Sequence, residues 1–184
     1  MGMKQDEVEN LILEIEHAFL RVERPEITLR VARGMDDHRY GELNQLSKAD
    51  AHYLHWNEIP PADIERFSDV FPWLCPIGFR FYLPAFMIHS LKTSKSLRSE
   101  SWPNFAFSET FLTKADVETL NVQQTRAVLH FLTAILATVP DDWNADWWNH
   151  PWDPEWSEDA EKKQIWSEIG YAYEQFKAHA EKEQ

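Results

Sequence analysis

Asp50, His52, His55 and Glu58 lie within one short segment and have side chains of the types that bind metal ions. His52 and His55 are three residues apart, so a helix would place both imidazoles on one side, where a carboxylate could complete the coordination sphere. The segment lacks the second ligand pair that accompanies specific zinc-binding patterns. We therefore treat His52 and His55 as weak metal candidates, expect no bound metal, and interpret both as surface or capping residues.

Arg80 stands between Phe79 and Phe81, which predicts at least partial burial of its guanidinium. One interpretation is an ion pair that joins two helices, because a buried guanidinium requires a carboxylate partner. The alternative is an anchor for an anion or a carboxylate in a ligand pocket. The residues assigned to this pocket are His55, Trp56, Arg80 and Tyr82.

Residues 141–156 are dense in tryptophan and carboxylates. From 141 to 161 the chain has eight acidic residues and neither lysine nor arginine. One interpretation is a strap whose tryptophans are buried against a helical core. The other is a docking surface for a partner rich in arginine or lysine, because indole faces attract cations that the carboxylates can pair with. The residues assigned to docking are Trp143, Trp147, Trp148, Trp152, Asp146 and Asp153.

The 184-residue chain carries 31 acidic and 18 basic residues, a formal net charge of -13. This charge repels phosphates, so we expect neither nucleic acid nor an anionic membrane as a partner. No apolar stretch approaches the roughly 18 residues of a membrane span. The single cysteine, Cys75, excludes an internal disulfide and is typical of a reducing compartment, so we expect a cytoplasmic protein. With 5 glycines and no phosphate-binding loop or serine elbow, the sequence indicates no catalytic residue and no cofactor.

Apolar residues recur at three- and four-residue steps, which predicts a mainly α single domain of about five or six helices with long connecting loops. The stretch after Pro25 alternates like a strand but favours a short helix capped by Thr28. A later helix should kink at Pro84, because proline removes a backbone hydrogen bond. Residues 34–47 are interpreted as loop. We expect a core over 1–140, a strap over 141–156 and a C-terminal helix over 157–181.

The most specific string is Gly78-Phe79-Arg80-Phe81-Tyr82-Leu83-Pro84-Ala85-Phe86-Met87. Together with Ile27-Thr28-Leu29 and Trp56-Asn57-Glu58-Ile59-Pro60, it resembles the domain-of-unknown-function family 6714 over about residues 5–139. The resemblance implies a bacterial, cytosolic, mainly helical domain. It brings no known activity, cofactor or catalytic residue, and the tryptophan-rich segment and the last helix lie beyond the part that we match.

Two functions remain open at this point. The first is a noncatalytic acidic protein-interaction module, immunity- or antitoxin-like in its simplest form, whose partner is a basic protein. The second is a small-molecule-binding protein or an enzyme with its pocket around Trp56, Arg80 and Tyr82. Self-association into a homo-oligomer is compatible with either function.

Overall fold

The computed structural model describes residues 4–50, 53–93, 102–137 and 158–183, with the backbone alone for residue 104 and residues 158–166. These residues form nine α-helices and no strand, which confirms the mainly α class. The helices are α1 (Gln5–Ala18), α2 (Leu29–Asp36), α3 (Leu43–Ala49), α4 (Pro61–Arg66), α5 (Pro76–Thr93), α6 (Trp102–Phe107), α7 (Lys114–Glu118), α8 (Val122–Leu136) and α9 (Glu158–Lys182). Short 3-10 helices span Tyr40–Glu42, Trp56–Glu58 and Phe71–Trp73.

The predicted number of five or six helices is too low because several helices are very short. Helices α3, α4, α6 and α7 have seven residues or fewer, too few for an apolar stripe to repeat. The interpretation of residues 34–47 as loop is wrong for the same reason, since α2 continues to Asp36 and α3 begins at Leu43. Gly34 lets the two helices approach, because an added Cβ would collide with Leu46 Cδ1 unless that side chain moved.

The end of α2 has a strained backbone. His38 has a φ of 58°, in the left-handed region that favours glycine. Its N–H donates to the Met35 carbonyl at 3.1 Å, and the Arg39 N–H donates to the Gly34 carbonyl at 2.7 Å. This pair of bonds is the Schellman arrangement, which ends a helix by pairing its last carbonyls.

Helix α5 forms the centre of the core. Its buried residues surround the helix axis instead of forming one stripe, as expected for a helix covered on all sides. Pro84 lies inside the helix, and because it has no N–H, the carbonyl of Arg80 lacks its usual intrahelical donor. The Phe86 ring lies 4.9 Å from that of Phe71 and 5.7 Å from that of Trp102. The Trp102 indole N–H donates to Ser90 Oγ at 2.8 Å, so the polar atom of this buried ring is paired.

Helices α1, α8 and α9 pack around α5 and α6. Asn121 and Gln124 form a reciprocal capping box at the start of α8, with bonds of 3.0 and 3.1 Å. Helix α9 buries Ile169, Ala172 and Phe176 completely, and it packs against α8, α6 and α7. The predicted strap over 141–156 lies outside the described residues. Among those that are described, no helix is both long and apolar enough to cross a bilayer.

Candidate functional site

Trp56 holds the 3-10 helix Trp56–Glu58 against the end of α1. Its side chain is 6% exposed, and its indole N–H donates to the Phe19 carbonyl at 2.8 Å. The ring is therefore packed in the core with its polar atom paired. This contact gives Trp56 a structural role, and its assignment to a ligand pocket stays a prediction.

His55 is exposed and immediately precedes the Trp56–Glu58 turn. One oxygen of Glu58, Oε2, accepts from the backbone N–H groups of Leu54 and His55, at 2.7 and 2.9 Å. Glu58 thus closes the start of this turn. His52 lies outside the described residues, and the part of the chain that is described brings together no group of three potential metal ligands.

Tyr82 joins α5 to the first turn of α2. It is 3% exposed, and the Leu29 N–H donates to its hydroxyl oxygen. Burial and the neighbouring Asp50 charge raise the pKa of Tyr82 well above its ordinary value, and the Leu29 bond only partly opposes this. Two further side chains cap the first turn of α2. Asp50 Oδ2 accepts from the Arg30 N–H at 3.0 Å, and Thr28 Oγ1 accepts from the Val31 N–H at 3.3 Å. Three side chains from three segments thus pair three successive N–H groups that the helix itself cannot satisfy.

A cluster of polar residues surrounds this cap. We call it the arginine junction, and its members are Arg24, Arg30, Asp50, Tyr53 and Asp63. Arg30 Nε lies 2.7 Å from Asp50 Oδ1, and Arg30 Nη2 lies 3.0 Å from Asp63 Oδ2. Asp63 also accepts from the Tyr53 hydroxyl at 2.9 Å. Arg24 donates to the carbonyls of Tyr53 and Asp50, at 2.7 and 3.1 Å.

Burial and charge act in opposite directions in the arginine junction. Desolvation lowers the pKa of Arg30, but the charges of Asp63 and Asp50 outweigh it, so that pKa is raised and the guanidinium stays protonated. Burial and the bond to Asp63 raise the pKa of Tyr53. The Arg30 guanidinium also lies 5.3 Å from the centre of the Phe67 ring. The cluster holds α2 and α4 to Asp50 and Tyr53, and each of its two acids contacts Arg30.

Arg80 and Tyr82 point to different neighbours, because two residues along a helix are about 200° apart around its axis. Arg80 Nη1 donates to the Thr119 carbonyl, just after α7, at 3.2 Å. Within the described residues its partner is therefore a backbone carbonyl instead of the carboxylate that the ion-pair interpretation requires. Arg80 Nε is buried and has no hydrogen-bond partner among those residues. The assignment of Arg80 and Tyr82 to one ligand pocket stays a prediction.

The docking residues assigned to the tryptophan-rich segment lie outside the described residues. They are Trp143, Trp147, Trp148, Trp152, Asp146 and Asp153. The arginine junction, in contrast, was missed from the sequence, where Asp50 was considered only as a possible metal ligand. Its residues are scattered from 24 to 63, and the only local signal was the Asp63 carboxylate in the first turn after Pro61.

Comparison with known proteins gives one match. The model of a family of unknown function, DUF6714, matches residues 6–160. The match extends beyond residue 139, where the sequence resemblance stopped, and it includes the tryptophan-rich segment and the start of α9. No curated protein and no solved structure shows significant similarity to the chain. Because the match covers most of the 184 residues, the chain belongs to the family of unknown function DUF6714.

Proposed function

We propose that the protein is a noncatalytic acidic module that binds a basic partner protein. The supporting observation is the way the fold distributes its charges. Arg30, Arg33 and the exposed Arg39 pair with the protein's own carboxylates, whereas several exposed carboxylates of α1 have no cation partner among the described residues. An immunity- or antitoxin-like role is one form of this function, with a basic toxin as the partner.

The internal pairing involves three arginines. Arg30 contacts Asp50 and Asp63, Arg33 pairs with Asp36 and Asp69, and Arg39 pairs with Glu42. These contacts fix helices and turns to one another. They also occupy cations that could otherwise offset the surface carboxylates.

The exposed acids of α1 have a different environment. Asp6, Glu9 and Glu16 are exposed, and none of them takes part in an ion pair with another described residue. Such a surface carries an uncompensated negative potential, which attracts basic proteins and accelerates their association. The carboxylates of the arginine junction, by comparison, are engaged in holding the fold.

The test is affinity capture of the tagged protein from a lysate of its native host, at low and at high salt, read by mass spectrometry. We expect one stoichiometric basic partner that is lost at high salt, since screening weakens interactions between exposed charges. A Trp147→Ala/Trp148→Ala variant tests whether the tryptophan-rich segment contributes. A partner retained equally at high salt, or no captured protein, would overturn the proposal.

Arg80 supports the second candidate, a small-molecule site. Arg80 Nε is buried and has no hydrogen-bond partner among the described residues. A buried donor is costly to leave unpaired, and this one could bind a carboxylate or another anion. Arg80→Ala should then abolish stabilisation of the protein by such a ligand, as measured by thermal shift against a panel of small carboxylates. If the wild-type melting temperature responds to no member of the panel, this candidate is rejected for that ligand class.

A further inference from the structure

Helix α1 presents the exposed Leu13 on the side opposite its buried face, and a second exposed leucine, Leu20, follows the end of the helix. Leu11 and Ile15 face the core, at 6% and 0% exposure, whereas Leu13 is 61% exposed. Leu20, in the turn just after α1, is 66% exposed. Leu20 is seven residues after Leu13, but it lies beyond Ala18, where α1 ends, so only Leu13 is placed by the helix geometry.

Two carboxylates flank Leu13 on the helix surface, where its other neighbours are Asn10 and His17. Glu9 is four residues before Leu13 and Glu16 three residues after it, so both are its neighbours on the helix surface. Asp6 extends the same side toward the start of the helix, and all three acids are exposed. We call this set, Asp6, Glu9, Leu13, Glu16 and Leu20, the outer face of α1.

The outer face is poorly suited to stability alone. Asp6 and Glu9 are like charges three residues apart, an arrangement that slightly destabilises a helix. Glu16 is in the last turn, where the helix dipole favours a cation. Single exposed leucines are ordinary, but Leu13 between Glu9 and Glu16, with a second exposed leucine just after the helix, has the composition of one half of a helix–helix interface.

We infer that the outer face of α1 is the docking surface, and that its occupant is a basic amphipathic helix of the partner protein. The inference rests on the proposed function. The partner's apolar residues would pack on Leu13 and Leu20, while its lysines or arginines would pair with Glu9 and Glu16. This is the helix-packing mode of recognition, in which apolar anchors supply affinity and flanking charges select the partner.

Charge excludes the other occupants. A second copy of the chain would bring the same acidic face against this one, and like charges oppose that contact. Residues 141–161 have eight acids without a lysine or arginine, so they match this face equally poorly. Nucleic acid and anionic membranes are repelled for the same reason.

The experiment uses the full chain and three synthetic peptides. One is an amphipathic helical peptide of leucine and lysine, the second has the same composition scrambled so that it has no apolar side, and the third replaces every lysine by glutamate. Binding is measured by fluorescence anisotropy, and hydrogen exchange locates the footprint. We expect the first peptide to bind one to one with protection of residues 5–20, and the other two to bind at least about tenfold more weakly, a ratio worth about 1.4 kcal/mol.

Two variants test the outer face, each with a matched control. Leu13→Ser/Leu20→Ser and Glu9→Gln/Glu16→Gln should each weaken binding of the leucine–lysine peptide at least about tenfold. The control for charge is Glu174→Gln/Glu181→Gln, two exposed glutamates that are also seven residues apart, on α9. The control for apolar surface is Ile77→Ser, 41% exposed at the start of α5. Both controls should bind as wild type does, and circular dichroism establishes that every variant is folded.

The outcomes separate this inference from the proposed function. If the outer-face variants capture the salt-sensitive basic partner from lysate as well as wild type does, the docking surface is wrong and the proposed function stands. If the footprint falls on another helix, or if the controls weaken binding equally, the inference is likewise overturned. If wild type captures no basic protein at all, the proposed function itself fails.

Discussion

The arginine junction and the outer face of α1 use the same chemical groups in opposite ways. In the junction, Asp50 is 2% exposed, and its oxygens contact the Arg30 side chain and the Arg30 backbone N–H. On the outer face, Glu9 and Glu16 are exposed to water, and neither forms an ion pair with another described residue. The difference indicates that the buried carboxylates determine the fold, whereas the exposed ones are available to a partner.

This comparison also explains why the residues that carry the family resemblance indicate no chemistry. Thr28 and Tyr82 cap α2, and Trp56 is anchored on the Phe19 carbonyl. Their polar atoms are occupied by backbone groups. These three residues of the family motif therefore join segments of the fold, and the docking surface that we propose contains none of them.

The largest expected effect is the loss of Asp50. Asp50→Ala should lower the free energy of unfolding by about 3–5 kcal/mol, because it leaves a partly buried guanidinium without one partner and uncaps α2. The measurement is urea denaturation followed by circular dichroism. Asp69 pairs with Arg33, and the Asp69 side chain is 38% exposed. Asp69→Ala should therefore lower the free energy of unfolding by less than about 1 kcal/mol. Equal losses in the two variants would mean that burial does not distinguish the two ion pairs.

The next effect concerns the hydroxyl of Tyr82. Tyr82→Phe keeps the ring but leaves the Leu29 N–H unpaired, so we expect a loss of about 1–2 kcal/mol. Tyr40→Phe is the control, because Tyr40 is 58% exposed and its hydroxyl remains accessible to water.

Tyr82 also predicts an alkaline limit to stability. Its pKa is raised in the folded protein, so the folded state holds this proton when the unfolded state has released it. The corresponding stability is complete below the unfolded pKa of about 10 and declines as pH rises above it. Unfolding free energies measured across this range should fall more steeply for wild type than for Tyr82→Phe. Parallel curves would show that Tyr82 contributes nothing to the alkaline transition.

A smaller effect, of opposite sign, is expected at the exposed end of α2. His38→Gly should raise the free energy of unfolding by about 1 kcal/mol, because glycine adopts the left-handed backbone without a Cβ penalty. His38→Ala is the control, since alanine keeps the Cβ and should give no such gain. Thermal and urea unfolding of both variants provide the measurement. A loss of stability in His38→Gly would indicate that the imidazole makes a compensating contact.

The smallest effect on stability is expected on the outer face of α1. Glu9→Gln/Glu16→Gln should change the free energy of unfolding by less than about 0.5 kcal/mol, because both carboxylates are exposed and the one hydrogen bond of Glu9, from Gln5, is a surface contact that glutamine can also accept. The same variant should lose the basic partner. A large loss of stability would erase the contrast with the arginine junction, since these acids would then also be structural.

Sequence reasoning succeeded where the signal was local or repeated. The stripes of α1, α8 and α9 span several turns, and the Thr28 cap is visible within four residues, so these features were predicted. The α3 helix was missed because seven residues give no repeat. The arginine junction was missed because its ion pairs form only when α2 and α4 pack together, a tertiary event that no spacing along the chain records.

The cap on α2 makes this helix dependent on a distant part of the chain. Its first N–H groups are paired by Tyr82 of α5 and by Asp50, so the first turn cannot be completed before α5 is in place. The amide of Leu29 should consequently exchange with deuterium when α5 undocks, whereas that of Arg30 should exchange when Asp50, at the end of α3, releases it. Helix α2 then folds and unfolds as part of a cooperative unit with α5, although eight residues would form a helix only marginally in isolation.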